Sequence, residues 1–436
     1  MKRLVSVFLS IIMIFGLFSS LSVSADENNK ADNCKWFYND RTNQLTVFGK
    51  GRMNDYDSFV DLAPWSKYSK KITSIEIGAG ITYIGEYAFS EFTSLKKVNI
   101  SYTVSEIGDA AFANSDKLSN FIVSDNSKYF STLNGNLYDK NKKKLVQYAV
   151  GKKDKSFVVP KSVKKLGAYS FSSCKYLTTI SLPNKLISID DAVFSNCSNL
   201  TKITIPKSVS YIGFCSFMNC KKLKAIVIPI KVNNLFSSVF YGCTSLSKVI
   251  INKGKTNIGE YAFGDCINLT TVNIPSGIIY INDGAFRGCK KLNSVVIPMT
   301  VKYVGVNAFS ECNNLKSVTY YGDNKKWRKI KFESGNNKLL KSHIKFVQPV
   351  TSVKLNKKSV TLKVKGNAKQ KIVTLTATVS PSNAYVKTVT WKSSNSKVAT
   401  VNSIGKVTAK KRGTCYIIAT AKDGSKKYAK CKIVVK

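Results

Sequence analysis

Cysteine is the residue type with the greatest capacity for chemistry in this sequence. Seven of the eleven cysteines recur at an interval of 23 residues, namely Cys174, Cys197, Cys220, Cys243, Cys266, Cys289 and Cys312. A row of thiolates could bind a metal ion or take part in redox exchange. Small buried hydrophobic side chains explain such a position in a stacked repeat better, so we predict structural thiols, no metal and no cofactor.

Two further cysteines, Cys415 and Cys431, lie nearly symmetrically about a predicted turn at 423–424. Strands joined by that turn would place the two sulfur atoms opposite each other. The sequence leaves two interpretations open, a disulfide bond or two core thiols on facing strands. It assigns no partner to Cys34 or Cys215.

Residues suited to acid–base or nucleophilic catalysis are scarce. The single histidine, His343, has no recognisable nucleophile beside it in the sequence. A glycan or wall hydrolase would need paired carboxylates in a cleft, and the repeats supply no evident pair. We therefore predict that the protein is not an enzyme.

A 23-residue repeat must position all of these side chains. Phenylalanine recurs with the same interval as cysteine, at Phe171, Phe194, Phe217, Phe240, Phe263, Phe286 and Phe309. The unit reads I-P-x-x-V-x-x-I-G-x-x-x-F-x-x-C-x-x-L-x-x-V-x-I. Its L-x-x-V-x-I part alternates like a short strand, whereas the remainder has the three-residue spacing of a helical or tight-turn return. One unit cannot bury its apolar side alone, so the units must stack into a solenoid with a parallel sheet along one face.

The interval between Phe112 and Phe171 is 59 residues and breaks the repeat. Asn134-Gly135 lies between two strand-like segments there, which is a strong hairpin signal. We predict a hairpin inserted near residues 120–160 that projects from the solenoid, with a basic tip at 142–144.

The units resemble the BspA-type leucine-rich repeat family of bacterial surface proteins, on the spacing, the proline and the A-F-x-x-C motif. The resemblance implies an N-terminal cap at residues 26–70 and repeats over residues 71–346, with a C-terminal cap near residues 316–346. It also implies adhesion or ligand binding and offers no catalytic residues to carry over.

After a short linker at residues 347–350, short alternating segments rich in Val, Thr, Lys and Ser favour an all-β sandwich over residues 351–436. The order T-W-K-S-S-N, V-A-T-V and G-K-V-T-A resembles the bacterial Ig-like group 2 domain, which implies a spacer or adhesive module. This segment has twenty Lys and Arg residues against one acidic residue, a formal charge of +19.

The first 25 residues are typical of a secretory signal peptide, with a basic start, an apolar run and small residues before the predicted cleavage after Ala25. No later stretch is long and apolar enough to cross a membrane, and no covalent anchor motif is recognisable. We predict a secreted or surface-associated protein. The net charge of +43 falls to +41 when Lys2 and Arg3 are removed with the signal peptide. For an exported chain of this charge, an anionic cell-wall polymer is a better partner than nucleic acid.

Two surfaces of the solenoid are candidate binding faces. Basic side chains beside the repeat leucine could form a ridge, or simply a solvated face, and are Lys175, Lys221, Lys222, Lys290 and Lys291. Apolar side chains on the solvent side of the strands could form a patch, and are Val227, Ile250 and Val296. We predict an adhesin-like binder of a host protein or glycan, with a structural envelope protein that has no foreign ligand as the alternative.

Overall fold

The computed structural model describes residues 34–57, 61–252, 257–382, 384, 386–423 and 425–436. The predicted signal peptide, its cleavage site and the start of the predicted N-terminal cap lie outside the described residues. The chain forms two compact units. One comprises residues up to Asn252 together with Gly259–Asn268, and the other comprises Leu269–Lys436 with the short segment before Gly259.

A parallel-strand solenoid of about 12 turns confirms the predicted fold class. In the first unit the strands are β1 (Cys34–Asn39), β2 (Gln44–Gly49), β3 (Gly51–Arg52), β4 (Ser74–Ile77), β5 (Ile81–Ile84), β6 (Lys97–Ile100), β7 (Glu106–Ile107), β8 (Asn120–Val123), β9 (Phe130–Leu133), β10 (Asn136–Asp139), β11 (Lys144–Gln147), β12 (Ser156–Val158), β13 (Lys165–Leu166), β14 (Thr179–Ser181), β15 (Ser188–Ile189), β16 (Lys202–Ile203), β17 (Tyr211–Ile212), β18 (Ala225–Ile228) and β19 (Lys248–Ile251). A 3-10 helix covers Ser66–Tyr68.

Most coils contribute two short strands, where we expected one strand and a helical or turn-rich return. The L-x-x-V-x-I strands pair in the groups β1-β2-β4-β6-β8, β12-β14-β16 and β18-β19. The V-x-x-I-G segments form a second series, β3-β5-β7 and β9-β10-β11-β13-β15-β17. The three-residue spacing arose because a turn at the valine precedes a strand of only two residues. The predicted parallel sheet along one face is therefore present, but it is divided into separate groups and a second series of strands accompanies it.

The turn around most of the repeat phenylalanines is held by backbone hydrogen bonds to the next coil. Tyr169, Phe171 and Ser173 donate from their N–H groups to the carbonyl oxygens 22 residues later, at 2.9, 3.0 and 2.8 Å. The residues two before and two after the phenylalanine have left-handed backbones in nine coils, with φ between 50° and 71°. A left-handed non-glycine residue costs roughly 1–2 kcal/mol, so stacking must offset this cost in every coil except that of Phe286, where both positions are glycine.

Stacked aromatic rings fill the solenoid between the turns. In the first unit the ring centroids of Phe171 and Phe194 are 5.3 Å apart, and those of Phe217 and Phe240 are 5.2 Å apart. Tyr148, which lies 23 residues before Phe171, takes the phenylalanine position of the interrupted coil and stacks at 5.0 Å. These side chains are fully buried, and each ring pair contributes about 0.5–1.5 kcal/mol beyond its buried area.

The repeat cysteines are buried, as predicted, but they also donate hydrogen bonds. The Sγ atom of Cys243 donates to the carbonyl oxygen of Phe217 at 3.1 Å, and Cys220 and Cys197 make the same bond one and two coils earlier. Ser115 replaces cysteine in an early coil and keeps the bond, from its Oγ to the carbonyl of Phe89 at 3.0 Å. In these coils the position holds a small side chain with a donor, whereas the first coil has the buried Phe92 there.

The inserted segment continues the solenoid and does not project from it, contrary to our expectation. A hairpin does turn at Asn134-Gly135, joining β9 to β10, and β10 then pairs with β11. Because β11 pairs in parallel with β13 of the next coil, the hairpin becomes the edge of a solenoid sheet. Leu137 and Tyr138 are buried. Of the predicted basic tip, only Lys143 is exposed.

In the second unit the solenoid strands are β20 (Thr271–Asn273), β21 (Tyr280–Ile281), β22 (Ser294–Pro298), β23 (Tyr303–Val304), β24 (Ser317–Tyr321), β25 (Lys331–Phe332) and β26 (His343–Phe346). Short helices at Asn324–Trp327 and Asn337–Leu340 widen the last coil. Trp327 packs against Tyr320 with ring centroids 5.0 Å apart. This buried pair closes the end of the apolar interior.

The C-terminal domain is a β-sandwich. Its strands are β27 (Ser352–Leu355), β28 (Ser359–Leu362), β29 (Ile372–Thr374), β30 (Ala377–Ser380), β31 (Val389–Ser393), β32 (Ala399–Val401), β33 (Lys406–Ala409), β34 (Gly413–Ala421) and β35 (Tyr428–Val435), with a short helix at Ala368–Lys371. They form the sheets β27-β30, β28-β35-β34-β31 and β29-β33-β32.

Val350, in the predicted linker, is buried in this domain, and its N–H donates to Asp423 at 2.6 Å. The domain therefore begins before residue 351.

Cys415 and Cys431 do not face each other. They lie on the paired strands β34 and β35, but Cys415 is opposite Ile433 and Cys431 is opposite Ile417. Both are thiols in the sandwich core. The strand register is offset by two residues from the register that symmetry about the turn would give. The positions of the two cysteines match the interpretation as core thiols.

The hydrogen bond of the repeat cysteine predicts an order of substitution costs. Cys243→Ala removes the donor and leaves a small cavity, so we expect a loss of about 1–2 kcal/mol in the free energy of unfolding. Cys243→Ser should cost less, because serine can keep the bond to Phe217 as Ser115 does to Phe89. Urea denaturation followed by circular dichroism measures both. A larger loss for serine than for alanine would contradict this role.

Candidate functional site

The repeat thiols are poorly suited to chemistry. Burial raises the pKa of the Cys243 and Cys312 thiols to about 12, so almost none is thiolate at neutral pH. Burial, followed by the charge of Asp191, also raises the pKa of the half-buried Cys215. Among the described residues, no cluster of His, Cys, Asp or Glu has the arrangement of a metal site.

The predicted basic ridge is interrupted. Lys175 and Lys221 are exposed, but the coil between them has Ser198 at the same position. Lys175 forms an ion pair with Asp116, which reduces its free charge. Lys222 is exposed in the first unit, and Lys290 and Lys291 are exposed in the second. The first-unit lysines therefore form separate charges and not a continuous strip.

The predicted apolar strand face is present in part. Val227 and Ile250 lie directly opposite each other on β18 and β19, and they are 48% and 41% exposed. Val296 is only half-buried and lies in the second unit, between Asn273 and Thr319. The exposed patch in the first unit is thus a pair of residues.

An aromatic cluster on the other strand series was missed by the sequence reasoning. It consists of Tyr211, Phe214 and Phe236, and we refer to it as the aromatic cluster. The ring of Phe236 is 4.7 Å from that of Phe214 and 5.4 Å from that of Tyr211, measured between centroids. Phe214 is 44% exposed and Tyr211 is 36% exposed. Two consecutive coils thus present three adjoining rings to solvent.

The cluster exists because both coils depart from the repeat. Phe236 takes the position of the glycine in I-G, which is present in six coils at Gly85, Gly108, Gly167, Gly213, Gly259 and Gly305. A Cβ added at Gly213 would lie 2.0 Å from Oδ1 of Asp191, so this position is normally pressed against the preceding coil. Phe214 takes the next position, which is acidic in five coils, at Glu86, Asp109, Asp191, Glu260 and Asp283. Aligning the repeats by position would have revealed both departures.

Asp191 fixes one edge of the aromatic cluster. Its Oδ1 accepts hydrogen bonds from the N–H of Phe214 at 2.9 Å and from the hydroxyl of Tyr211 at 3.3 Å. Burial, then the charge of Asp191, raises the pKa of Tyr211, which therefore stays neutral. The cluster offers apolar ring faces and an ordered hydroxyl, which suits non-covalent recognition of an apolar or aromatic surface.

An open depression of about 490 Å³ lies on the strand face of the second unit. Its lining is polar and basic and comprises Thr270, Lys291, Asn293, Asn314, Lys316 and Ser317. It is wide open to solvent and contains no carboxylate or thiol. Its chemistry therefore adds no catalytic group to those already considered.

Comparison with known families agrees with this architecture. The BspA type leucine-rich repeat region matches in six copies over residues 66–140, 148–269 and 210–340. This chain belongs to the BspA-type leucine-rich repeat family. The bacterial Ig-like domain (group 2) matches residues 349–431. BspA-type repeat proteins are typically surface-associated, leucine-rich repeat proteins typically bind other proteins, and both kinds of domain are typically non-enzymatic binding modules.

Individual relatives match parts of the chain. An uncharacterized protein of Clostridium acetobutylicum is 47% identical over 62 residues, which are 14% of this chain and 6% of that relative. A leucine-rich repeat protein of Eubacterium ventriosum is 26% identical, with a TM-score of 0.44, over 64% of this chain and 93% of the other. A leucine-rich cell surface protein of Faecalibacterium prausnitzii is 21% identical, with a TM-score of 0.35, over 73% and 100%.

Within the described part of the chain, no helix has the length and apolar character needed to cross a membrane.

The pKa values predict which thiols react in the folded protein. At pH 8 a thiol with a pKa of about 12 is ionised in about one molecule in ten thousand, so iodoacetamide should label Cys243 and Cys312 only after unfolding. Cys215 should react slowly in the native chain, because it is only half-buried. Peptide mass spectrometry after timed labelling measures this. Native labelling of Cys243 as fast as that of Cys215 would contradict the buried, protonated assignment.

Proposed function

We propose that this is an exported, adhesin-like binding protein of the bacterial surface. The solenoid recognises a host ligand through the aromatic cluster, and the Ig-like domain attaches the protein to an anionic cell-wall polymer. The ligand is a protein with an apolar or aromatic contact surface. The single observation that carries the proposal is the set of three partly exposed rings, at positions where most coils have glycine and an acidic residue.

The cost of the aromatic cluster supports a role in binding. An aromatic ring that stays exposed to water contributes little to the stability of the fold. The fold does not require rings at these two positions, because most other coils have glycine and an acidic residue there. Tyrosine and other large aromatic side chains are the residues that most often dominate binding energy at protein interfaces. The ring of Phe236 already packs on that of Phe214, so little ordering is needed on binding.

Two features of the sequence support export and attachment: the apolar segment before Ala25 and the high net positive charge. The apolar segment before Ala25 favours secretion. Outside the cell, the chain without Lys2 and Arg3 keeps a net charge of +41 and is attracted to teichoic acids and other polyanions of the envelope. A nucleic acid is not its physiological partner under this proposal.

A double substitution that restores the repeat tests the recognition surface. Phe214→Glu with Phe236→Gly installs the residues found at these positions in other coils, so the fold should be kept. We expect binding to the strongest ligand on a matrix-protein and glycan array to weaken by about tenfold or more, because the aromatic anchors are lost. Binding is measured by biolayer interferometry on residues 26–436.

Val227→Thr with Ile250→Thr serves as the matched control. It also replaces two exposed apolar residues, keeps β-branched side chains and changes the strand face predicted from the sequence. We expect this variant to bind like the wild type. Loss confined to the control variant would place recognition on the strand face and refute the aromatic cluster. A wild-type chain that binds no ligand on the array would favour a structural envelope protein.

A further inference from the structure

The outer face of one sheet in the Ig-like domain combines lysines in register. In the sheet β28-β35-β34-β31, Cys415, Ile417 and Ile433 point into the core, so the alternate residues face solvent. Lys392 of β31 is opposite Ile418 of β34, which is opposite Lys430 of β35. Lys392 and Lys430 thus lie in one row across three strands.

A second row lies beside the first. Lys432 of β35 is opposite Tyr416 of β34 and, on its other side, opposite Ser359 of β28. Strand spacing places Lys392 about 10 Å from Lys430, and two residues along a strand place Lys430 about 7 Å from Lys432, measured between Cα atoms. We refer to Lys392, Lys430 and Lys432 as the lysine face.

Within the described part of the Ig-like domain, no exposed acidic side chain offsets the charge of the lysine face. The only acidic residue of the domain, Asp423, is buried, and it accepts hydrogen bonds from the N–H groups of Val350 and Ser425 at 2.6 and 2.9 Å. Lys430 lies over the ring of Tyr416, with its Nζ 5.0 Å from the centroid, which holds this ammonium close to the sheet. Three like charges so close repel one another, and a polyanion laid across them would relieve that repulsion.

We infer that the lysine face binds a linear phosphodiester polymer of the cell wall, with Tyr416 beneath the chain. This inference rests on the proposed attachment function and names its site. Nineteen of the twenty basic residues of the domain are lysine and only Arg412 is arginine. Lysine contacts phosphate as a point charge, whereas the arginine fork is favoured where a single carboxylate or phosphate group is held by two parallel hydrogen bonds. The spacing of several ångströms between lysines suits charges that repeat along a chain.

Two triple substitutions of equal charge test the site. The first variant, made in the chain of residues 26–436, removes the three charges of the lysine face by Lys392→Gln, Lys430→Gln and Lys432→Gln. The control replaces three other exposed lysines of the same domain, Lys354→Gln, Lys397→Gln and Lys406→Gln. The probe is a soluble poly(glycerol phosphate) chain, compared with polyglutamate of similar length, and the affinities come from isothermal titration calorimetry. Thermal melts of both variants check that the exposed substitutions leave the fold intact.

The expected result separates a site from simple net charge. The lysine-face variant should lose at least about tenfold in affinity for the phosphodiester chain, and the control should lose less than about threefold. The wild type should prefer the phosphodiester chain to polyglutamate. Equal losses in the two variants, or equal binding of both polymers, would overturn the inference while leaving charge-driven attachment in place. A wild type that binds isolated walls but not the polymer also overturns the inference alone, whereas binding to neither removes the attachment function itself.

Discussion

Hydrogen bonds between neighbouring coils are the constraint on which the solenoid depends. At most repeat phenylalanines, alternate N–H groups of the turn donate to carbonyl oxygens 22 residues further along the chain, while the N–H groups between them donate within the same coil. Left-handed backbones on either side of the ring make this geometry accessible, at a cost that an isolated coil would not recover. Ring stacking and the cysteine donors add to the same contact between coils. Each coil is therefore stable only beside another coil.

This constraint leaves the surface free to vary. The core positions of the repeat are set by contact with the next coil, whereas the commonly acidic position before the phenylalanine turn is partly or fully exposed in every regular coil. At Phe214 and Phe236 the chain has exchanged the usual acid and glycine for rings, and the stacking of Phe217 on Phe240 is unaffected, with centroids 5.2 Å apart. The same scaffold can thus acquire a recognition surface in two coils without losing the interactions that hold them together.

Much of the fold could be predicted from the sequence because its signals are periodic. The interval of Phe171, Phe194 and the residues that follow them predicted the solenoid and the buried cysteine position. The second strand series was not predictable from apolar spacing, because two-residue strands have no alternation to detect. The prediction that the hairpin projects from the solenoid was wrong for a different reason. A hairpin signal says nothing about what the next strand pairs with, and β11 pairs with β13.

The candidate site was less accessible to sequence reasoning. Val227 and Ile250 were found because exposed apolar residues on a strand alternate, but Phe214 and Phe236 belong to positions whose usual residues had to be known before the departure could be seen. The offset of Cys415 from Cys431 is a matter of strand register, which the symmetry of the two residues about a turn does not determine. Particular residues, rather than overall composition, decided each of these outcomes.

The central claim is that recognition and attachment belong to different parts of the chain and have different physical origins. Affinity for isolated cell wall and affinity for the array ligand, both measured with residues 26–436 over a series of salt concentrations, test it most directly. Attachment through exposed lysines should weaken steeply as salt screens the charges, whereas recognition through aromatic rings should change little. Parallel loss of both affinities with salt would mean that charge alone drives every interaction, and it would contradict the account.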